Sequence, residues 1–187
     1  RRRAAGCDAV LLGCGLGRGR QTDALVRRLM DLPQPLVLDA DGINALAGHM
    51  DVLDARQDRV TVLTPHDGEF ARIGGDLSAG DRLGAARAFA EAHGCVLVLK
   101  GHRTLTAAPA GNVLVNTTGN SGLAKGGSGD VLSGVVLALL GLGMDAFDAC
   151  CCAVWLHGRA GDLAAQEKGQ WGMTPTDLLE RLPQALR

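Results

Sequence analysis

Short apolar runs recur along the chain, each ending in glycine, proline or an acid, and helical patterns fill the gaps between them. Residues 9–12 (Ala-Val-Leu-Leu) form the first run and lead into a cluster in which Gly13, Gly15, Gly17 and Gly19 alternate with other residues. The spacing then predicts a helix over 22–32, with Thr22 as its cap and Pro33 as its stop. Strands are predicted over 35–39 and 60–64. An amphipathic helix over 81–93 carries Leu83, Ala86, Phe89 and Ala90 on one face and is closed by Gly94, before a strand over 95–99. Residues 104–108 and 112–115, parted by Pro109-Ala110-Gly111, read as a hairpin. After a glycine-rich loop come two apolar helices, 130–142 and 146–165. A last helix opens at Thr174-Pro175, cap then proline at the first helical position, and runs to about Leu182. Strands alternating with helices imply an α/β fold, a mostly parallel sheet with helices on both faces. No repeat, low-complexity tract or linker interrupts the 187 residues, so 1–187 reads as a single domain.

Composition narrows the function. Nineteen Lys+Arg against twenty Asp+Glu leave a charge of −1, so no basic field drives nucleic-acid binding. Aromatics at 3% supply no base-stacking platform, and Trp155 and Trp171 read as packing residues. No apolar run reaches the ~18 residues of a membrane span. The six cysteines (7, 14, 95, 150, 151 and 152) include no CxxC and no framework of spaced pairs, so they read as small buried hydrophobes in a reducing compartment, which here means the cytoplasm. The chain opens Arg1-Arg2-Arg3-Ala4-Ala5, without Met or a signal-peptide core, and reads as part of a longer protein. The 27 glycines are about twice the usual ~7% share. In a chain that is 47% hydrophobic, that excess points to backbone turned tightly around ligands.

In a parallel sheet, ligands gather at the carboxyl ends of the strands. The densest chemistry lies in residues 118–130, Thr-Gly-Asn-Ser-Gly-Leu-Ala-Lys-Gly-Gly-Ser-Gly-Asp, which run into an apolar helix. Backbone N–H groups of Gly127, Ser128 and Gly129 can converge there on an anion, aided by the helix dipole. Asp130, at the same helix start, is placed as the base that phosphoryl transfer to an alcohol requires. The segment contains no Walker lysine, and the Gly13–Gly19 cluster fits a tight turn as well as a ligand loop. Only three of the nineteen basic residues are lysines, and two of them, Lys100 and Lys125, sit in these loops, where they could neutralise phosphate oxygens. Residues 63–69 (Leu-Thr-Pro-His-Asp-Gly-Glu) present His66 and Glu69 three apart. That pair suits either substrate contact with a magnesium-bound water or a plain helix cap. Asp39 and Asp41 add two acids on the same edge, Asn44 reads as an Asx turn, and His157 reads as a satisfied core residue.

The stretches at 38–44 (LDADGIN), 63–69 (LTPHDGE), 99–104 (LKGHRT), 118–134 (TGNSGLAKGGSGDVLSG) and 157–165 (HGRAGDLAA), in this order, resemble the ADP-dependent NAD(P)H-hydrate dehydratases of the ribokinase-like superfamily. The resemblance implies a three-layer sandwich and a repair reaction. NADH or NADPH hydrated on its nicotinamide ring would be phosphorylated by ADP (or ATP) with Mg²⁺ and would then lose phosphate. It implies Asp130 as the catalytic base that also meets the substrate, Gly17 and His66 as substrate contacts, and Lys100, Gly101, His102, Arg103, Thr104 and Gly129 around the nucleotide. Glu69 would lie near magnesium through a water, and a homo-oligomer is implied. Asp67, Cys14 and Lys125 depart from the family's usual residues, and the N-terminal helices and strands with which the family begins are absent, leaving an exposed sheet edge. A small-alcohol kinase of the same superfamily, or an inactive nucleotide-binding fragment, would share Asp130 and its loop.

Overall fold

The structure, a computed structural model, describes residues 4–187; the arginines at the opening of the chain lie outside the described residues. Six strands form one sheet in the order β1 (Val10–Leu12), β2 (Leu36–Leu38), β3 (Thr61–Leu63), β4 (Val96–Leu99), β5 (Leu105–Ala107) and β6 (Val113–Val115). The first four are parallel; β5 and β6 turn back as the expected hairpin. The strand order never reverses. Because parallel crossovers are right-handed, all three connections between β1 and β4 then fall on one face of the sheet. These connections hold α1 (Arg20–Leu29), α2 (Asp41–Asn44), α3 (Asp51–Asp54), α4 (Asp67–Arg72) and α5 (Arg82–His93).

Strand alternation divides the core accordingly. Leu36, Leu38, Leu63, Leu97 and Leu99 pack with Ile43, Leu46, Phe70 and Phe89 on the crossover face. Val37, Val62, Val96 and Val98 point the other way, onto Leu132, Val136, Ala153 and Val154. Those four belong to α6 (Ser128–Gly141) and α7 (Ala146–Gly172), which with α8 (Pro175–Ala185) make the third layer. The result is the α/β sandwich the alternation of elements implied. β1 pairs with β2 alone, so its outer edge carries no strand among the described residues. Among the described residues, no helix is long and apolar enough to cross a membrane.

The differences from expectation have local causes. α1 begins at Arg20 with Gly19 as its cap, not at Thr22, and Asp23 in its first turn complements the dipole. The one-turn helices α2 and α3 are too short to show a period. Asn44 ends α2 and accepts a hydrogen bond from Arg72 Nη1 at 3.1 Å, so it makes no Asx turn. α7 runs past residue 165 to Gly172, broken at Gly169 (φ 70°), and α8 passes through Pro183 in its last turns. Trp171, beyond that break, is 97% exposed and Trp155 is half exposed, so neither packs in the core. Cys95 and Cys150 are buried as expected, whereas Cys7 and Cys152 are exposed.

One contact fixes the end of β1 against α2. Gly13 (φ 136°) lies so close to Asp39 that a Cβ would sit 1.7 Å from its carbonyl oxygen, and a Cβ on Gly42 would sit 2.3 Å from the carbonyl oxygen of Leu12. Gly134, inside α6, has open space around it. Gly13→Ala and Gly42→Ala are therefore each expected to cost about 1–3 kcal/mol or more and to lower the melting temperature by several degrees. Gly134→Ala should raise stability by about 0.5–1 kcal/mol, since helix interiors favour alanine. Thermal denaturation of the three variants checks the contrast.

Candidate active site

Asp39, at the end of β2, is the centre of the site. It is 1% exposed, and both carboxylate oxygens are occupied. Oδ1 accepts from Lys100 Nζ at 2.8 Å and from the Ala40 N–H at 2.9 Å. Oδ2 accepts from Ser133 Oγ at 2.7 Å and from the Cys14 thiol at 3.8 Å. Burial alone would raise its pKa, but the Lys100 ammonium and the hydrogen bonds outweigh it and hold the carboxyl below its ordinary range. Lys100, at the end of β4, thus has one of three ammonium protons committed; its Nζ stands 3.9 Å from Glu69 Oε2. A Cβ on Gly129 would lie 3.3 Å from the same Nζ, so the ammonium sits directly under the first turn of α6.

That turn is built by glycine. Gly127 caps α6 in a left-handed conformation (φ 94°). The Ser128 N–H donates to the Lys125 carbonyl at 3.2 Å, so the unpaired donors of the helix start are those of Gly129 and Asp130. Asp130 is exposed in the first turn, and its carboxylate, that of Asp39 and the Cys14 sulfur lie within 4.8 Å of one another. Burial, and then the charges of Asp39 and Asp130, push the Cys14 thiol up to about 12, so it stays protonated between two carboxylates.

The turn after β3 is a capping box. His66 Nδ1 accepts from the Gly68 and Glu69 N–H groups, at 3.0 and 3.3 Å, and Glu69 Oε2 accepts from the His66 N–H at 2.9 Å. With Nδ1 accepting, the imidazole proton is on Nε2, which stands 3.5 Å from Glu69 Oε1 on a half-exposed side chain. Arg82 ties this turn to the next loop, donating to Asp67 Oδ1 at 2.7 Å and to the Lys100 carbonyl at 3.1 Å. The Lys100 N–H donates to the Pro65 carbonyl at 2.8 Å. In that loop Thr104 Oγ1 closes onto the Gly101 carbonyl at 3.2 Å, Arg103 is left-handed (φ 57°), and Gly101, His102 and Arg103 are exposed. Gly17 lies on the exposed loop after β1, also left-handed (φ 74°), with open space at its α-carbon.

Lys100, Gly129, Asp130, His66 and Glu69 therefore stand around one edge of the sheet, while Lys125 does not serve an anion. Its Nζ donates to the carbonyls of Trp171 and Met173, at 2.7 and 2.6 Å, and so closes the end of α7. Sequence reasoning missed Ser133, whereas His157 is the satisfied core residue expected. The buried His157 Nε2 donates to the Ser128 carbonyl at 2.9 Å, anchoring the start of α6. Around it, Gly158 leaves room for Thr118, and Asp162 accepts from the Gly119 N–H (2.9 Å) and Asn120 Nδ2 (3.0 Å). The spacing of Gly158 and Asp162, four apart on one face of α7, was the available signal.

Asp39, Cys14 and Asp130 are close enough to surround a cation, but Asp39 has no acceptor position left and the thiol is a poor partner for a hard ion. Magnesium takes few protein ligands when it arrives with phosphates, and Asp130 offers the free carboxylate for it. The carboxylate of Glu69 is engaged by the His66 N–H.

Two outcomes follow. Burial holds the His157 pKa below the ordinary ~6.5, so the unfolded chain binds the extra proton first. The stabilising contribution is complete above that pH and is lost as pH falls below it. Urea unfolding between pH 7 and 5 should show this slope, at most about 1.4 kcal/mol per pH unit, and His157→Gln should flatten it. Gly129→Ala should leave stability within about 1 kcal/mol while weakening anion binding, since the new methyl displaces the Lys100 ammonium; calorimetric titration with ADP checks this.

A family model described as NAD(P)H-hydrate dehydratase matches residues 2–184. The bifunctional NAD(P)H-hydrate repair enzyme Nnr of Moorella thermoacetica is 45% identical over 189 residues, covering 99% of this chain and 36% of its own length. The ADP-dependent (S)-NAD(P)H-hydrate dehydratase of Neisseria meningitidis is 40% identical over 168 residues, 87% of this chain and 57% of its own. The chain thus spans about a third of the first relative and over half of the second. The crystal structure of the ADP/ATP-dependent NAD(P)H-hydrate dehydratase from Bacillus subtilis, co-crystallized with ATP/Mg²⁺, superposes with a TM-score of 0.81 at 32% identity, over 98% of this chain and 68% of the other. With its ribokinase-like sandwich and this match over nearly its whole length, the chain belongs to the NAD(P)H-hydrate dehydratase family.

Proposed function

We propose that the protein dehydrates hydrated NADH or NADPH, using ADP (or ATP) as phosphoryl donor. The observation that carries the reading is the exposed Asp130 carboxylate on the first turn of α6, beside unpaired backbone donors and over the fixed Lys100 ammonium. A base next to an anion site is what transfer of a phosphoryl group to an alcohol needs. In this reading the nucleotide lies over Lys100 to Thr104, with its phosphates at Gly127, Ser128 and Gly129, the free N–H groups being those of Gly129 and Asp130. His66 Nε2 and the Gly17 loop receive the hydrated dinucleotide. A magnesium ion arriving with the nucleotide would be held by Asp130 and the nucleotide's own phosphates, and would supply neutralisation of phosphate charge. Glu69 acts on this site through its bond to the His66 N–H and its nearness to Lys100.

The chemistry balances in two steps. Asp130 accepts the proton of the ring hydroxyl as its oxygen bonds to the transferred phosphorus, and the phosphorus–oxygen bond to the rest of the nucleotide breaks. The carbon–oxygen bond then breaks, phosphate leaves with the electron pair, and loss of a neighbouring ring proton restores the double bond. Phosphorylation lowers the barrier because phosphate is a far better leaving group than hydroxide. The cysteine usage supports a cytoplasmic protein, and the resemblance implies a homo-oligomer.

Incubating the chain with hydrated NADH, Mg²⁺ and ADP should restore the absorbance of the reduced nicotinamide ring. Asp130→Asn should lower the rate by about 10²–10⁴-fold, the usual contribution of a general base. A stable phosphorylated alcohol in place of recovered absorbance would give the site to a kinase, and ADP binding without turnover would give it to a binding fragment.

A further inference from the structure

The acid that organises the site, Asp39, does no chemistry in the reaction above. Its four acceptor positions are all taken, by Lys100, the Ala40 N–H, Ser133 and the Cys14 thiol. It is 1% exposed, so neither a proton nor a metal ion from a ligand can reach it. Its partners come from four separate places in the fold: the end of β4, the second turn of α6, the loop after β1 and its own neighbour. The Ser133 contact is itself buried, and Ser133 Oγ lies 2.9 Å from the carbonyl of Gly129, the residue whose α-carbon faces the Lys100 ammonium. A buried carboxylate that holds a cation with one oxygen and a helix start with the other fixes the distance between the two.

We propose that Asp39, acting with Ser133, is the positioning residue that sets the Lys100 ammonium and the N-terminus of α6 into one anion-binding unit, leaving the remaining ammonium protons for a nucleoside diphosphate. The proposal rests on the nucleotide site given under the proposed function. Lys100 then contributes to binding only while Asp39 holds it. Free of Asp39, the long side chain spreads over many rotamers, and its charge is no longer aimed at the turn.

The chain's three lysines allow a direct test. Brief labelling with an amine-reactive acylating reagent, read by mass spectrometry, should modify Lys100 more slowly than Lys168, whose side chain is more exposed. Asp39→Asn should speed labelling of Lys100 about tenfold or more and leave Lys168 unchanged, and Ser133→Ala, the milder variant should Asp39→Asn fail to fold, should speed it by a smaller factor. Unchanged labelling of Lys100 in a folded variant would overturn the proposal. Calorimetric titration with ADP supplies the second arm. Lys100→Met and Asp39→Asn should each weaken binding, and the double variant should be within about twofold of the weaker single variant, because both remove one unit. Losses that multiply would overturn the proposal, since Asp39 would then act independently of Lys100. If the unmodified chain binds no ADP, the proposed nucleotide site fails, and inorganic pyrophosphate decides the present inference alone. Protection of Lys100 by pyrophosphate in the parent but not in Asp39→Asn upholds the inference, and absence of protection in the parent overturns it.

Discussion

The handedness of the parallel crossovers is the constraint on which the rest of this structure depends. Four parallel strands laid down in sequential order commit α1 to α5 to one face and leave the valine face of the sheet bare. Among the described residues the C-terminal helices cover it, and α6 starts at the edge where the parallel strands end. The positive end of its dipole thereby arrives beside the residues that follow β2, β3 and β4. The site is a consequence of how the second face is covered, and residues distant in sequence, such as Asp39 and Ser133, meet there.

At that edge, two buried acids share one cation before any ligand arrives. Asp39 and Glu69 are both buried beside Lys100, and the single ammonium is shared unequally, at 2.8 and 3.9 Å. Asp130 differs from both in being exposed. One acid holds the cation, one caps a helix and one is left exposed. Which is which follows from burial and partners, since all three follow strand ends or open helices and are chemically alike.

The division between what was legible in the sequence and what was not runs along this line. Elements of useful length were readable because period 2 or 3.6 repeats enough times to be seen, as in β4 and α5, and Gly94 closes α5 in the expected left-handed conformation. The one-turn helices were not, and the start of α1 was misplaced because a glycine cap carries no side-chain signature. Within the candidate site, the glycine-rich turn and Asp130 at the helix start were readable because a loop and the helix it opens are local in sequence. The pairing of Asp39 with Lys100 spans 61 residues and that with Ser133 spans 94, distances over which no spacing rule operates. Lys125 and Lys100 looked equivalent as loop lysines, yet one closes a helix end and the other lies under the first turn of α6. Only the three-dimensional placement of carbonyls and carboxylates separates them.

The approach of Gly13 to Asp39 and of Gly42 to Leu12 bears on how such a chain can vary. When two side chains collide, a second substitution that shrinks one of them can relieve the first. Here the groups met by an added methyl are main-chain carbonyls, at 1.7 and 2.3 Å, and a carbonyl cannot be made smaller by any change of residue. A genetic search for suppressors of either alanine substitution should therefore return the glycine itself, or broad stabilisers elsewhere, and no local partner. The two positions are closed to compensation, and the strand end that carries Asp39 inherits that rigidity.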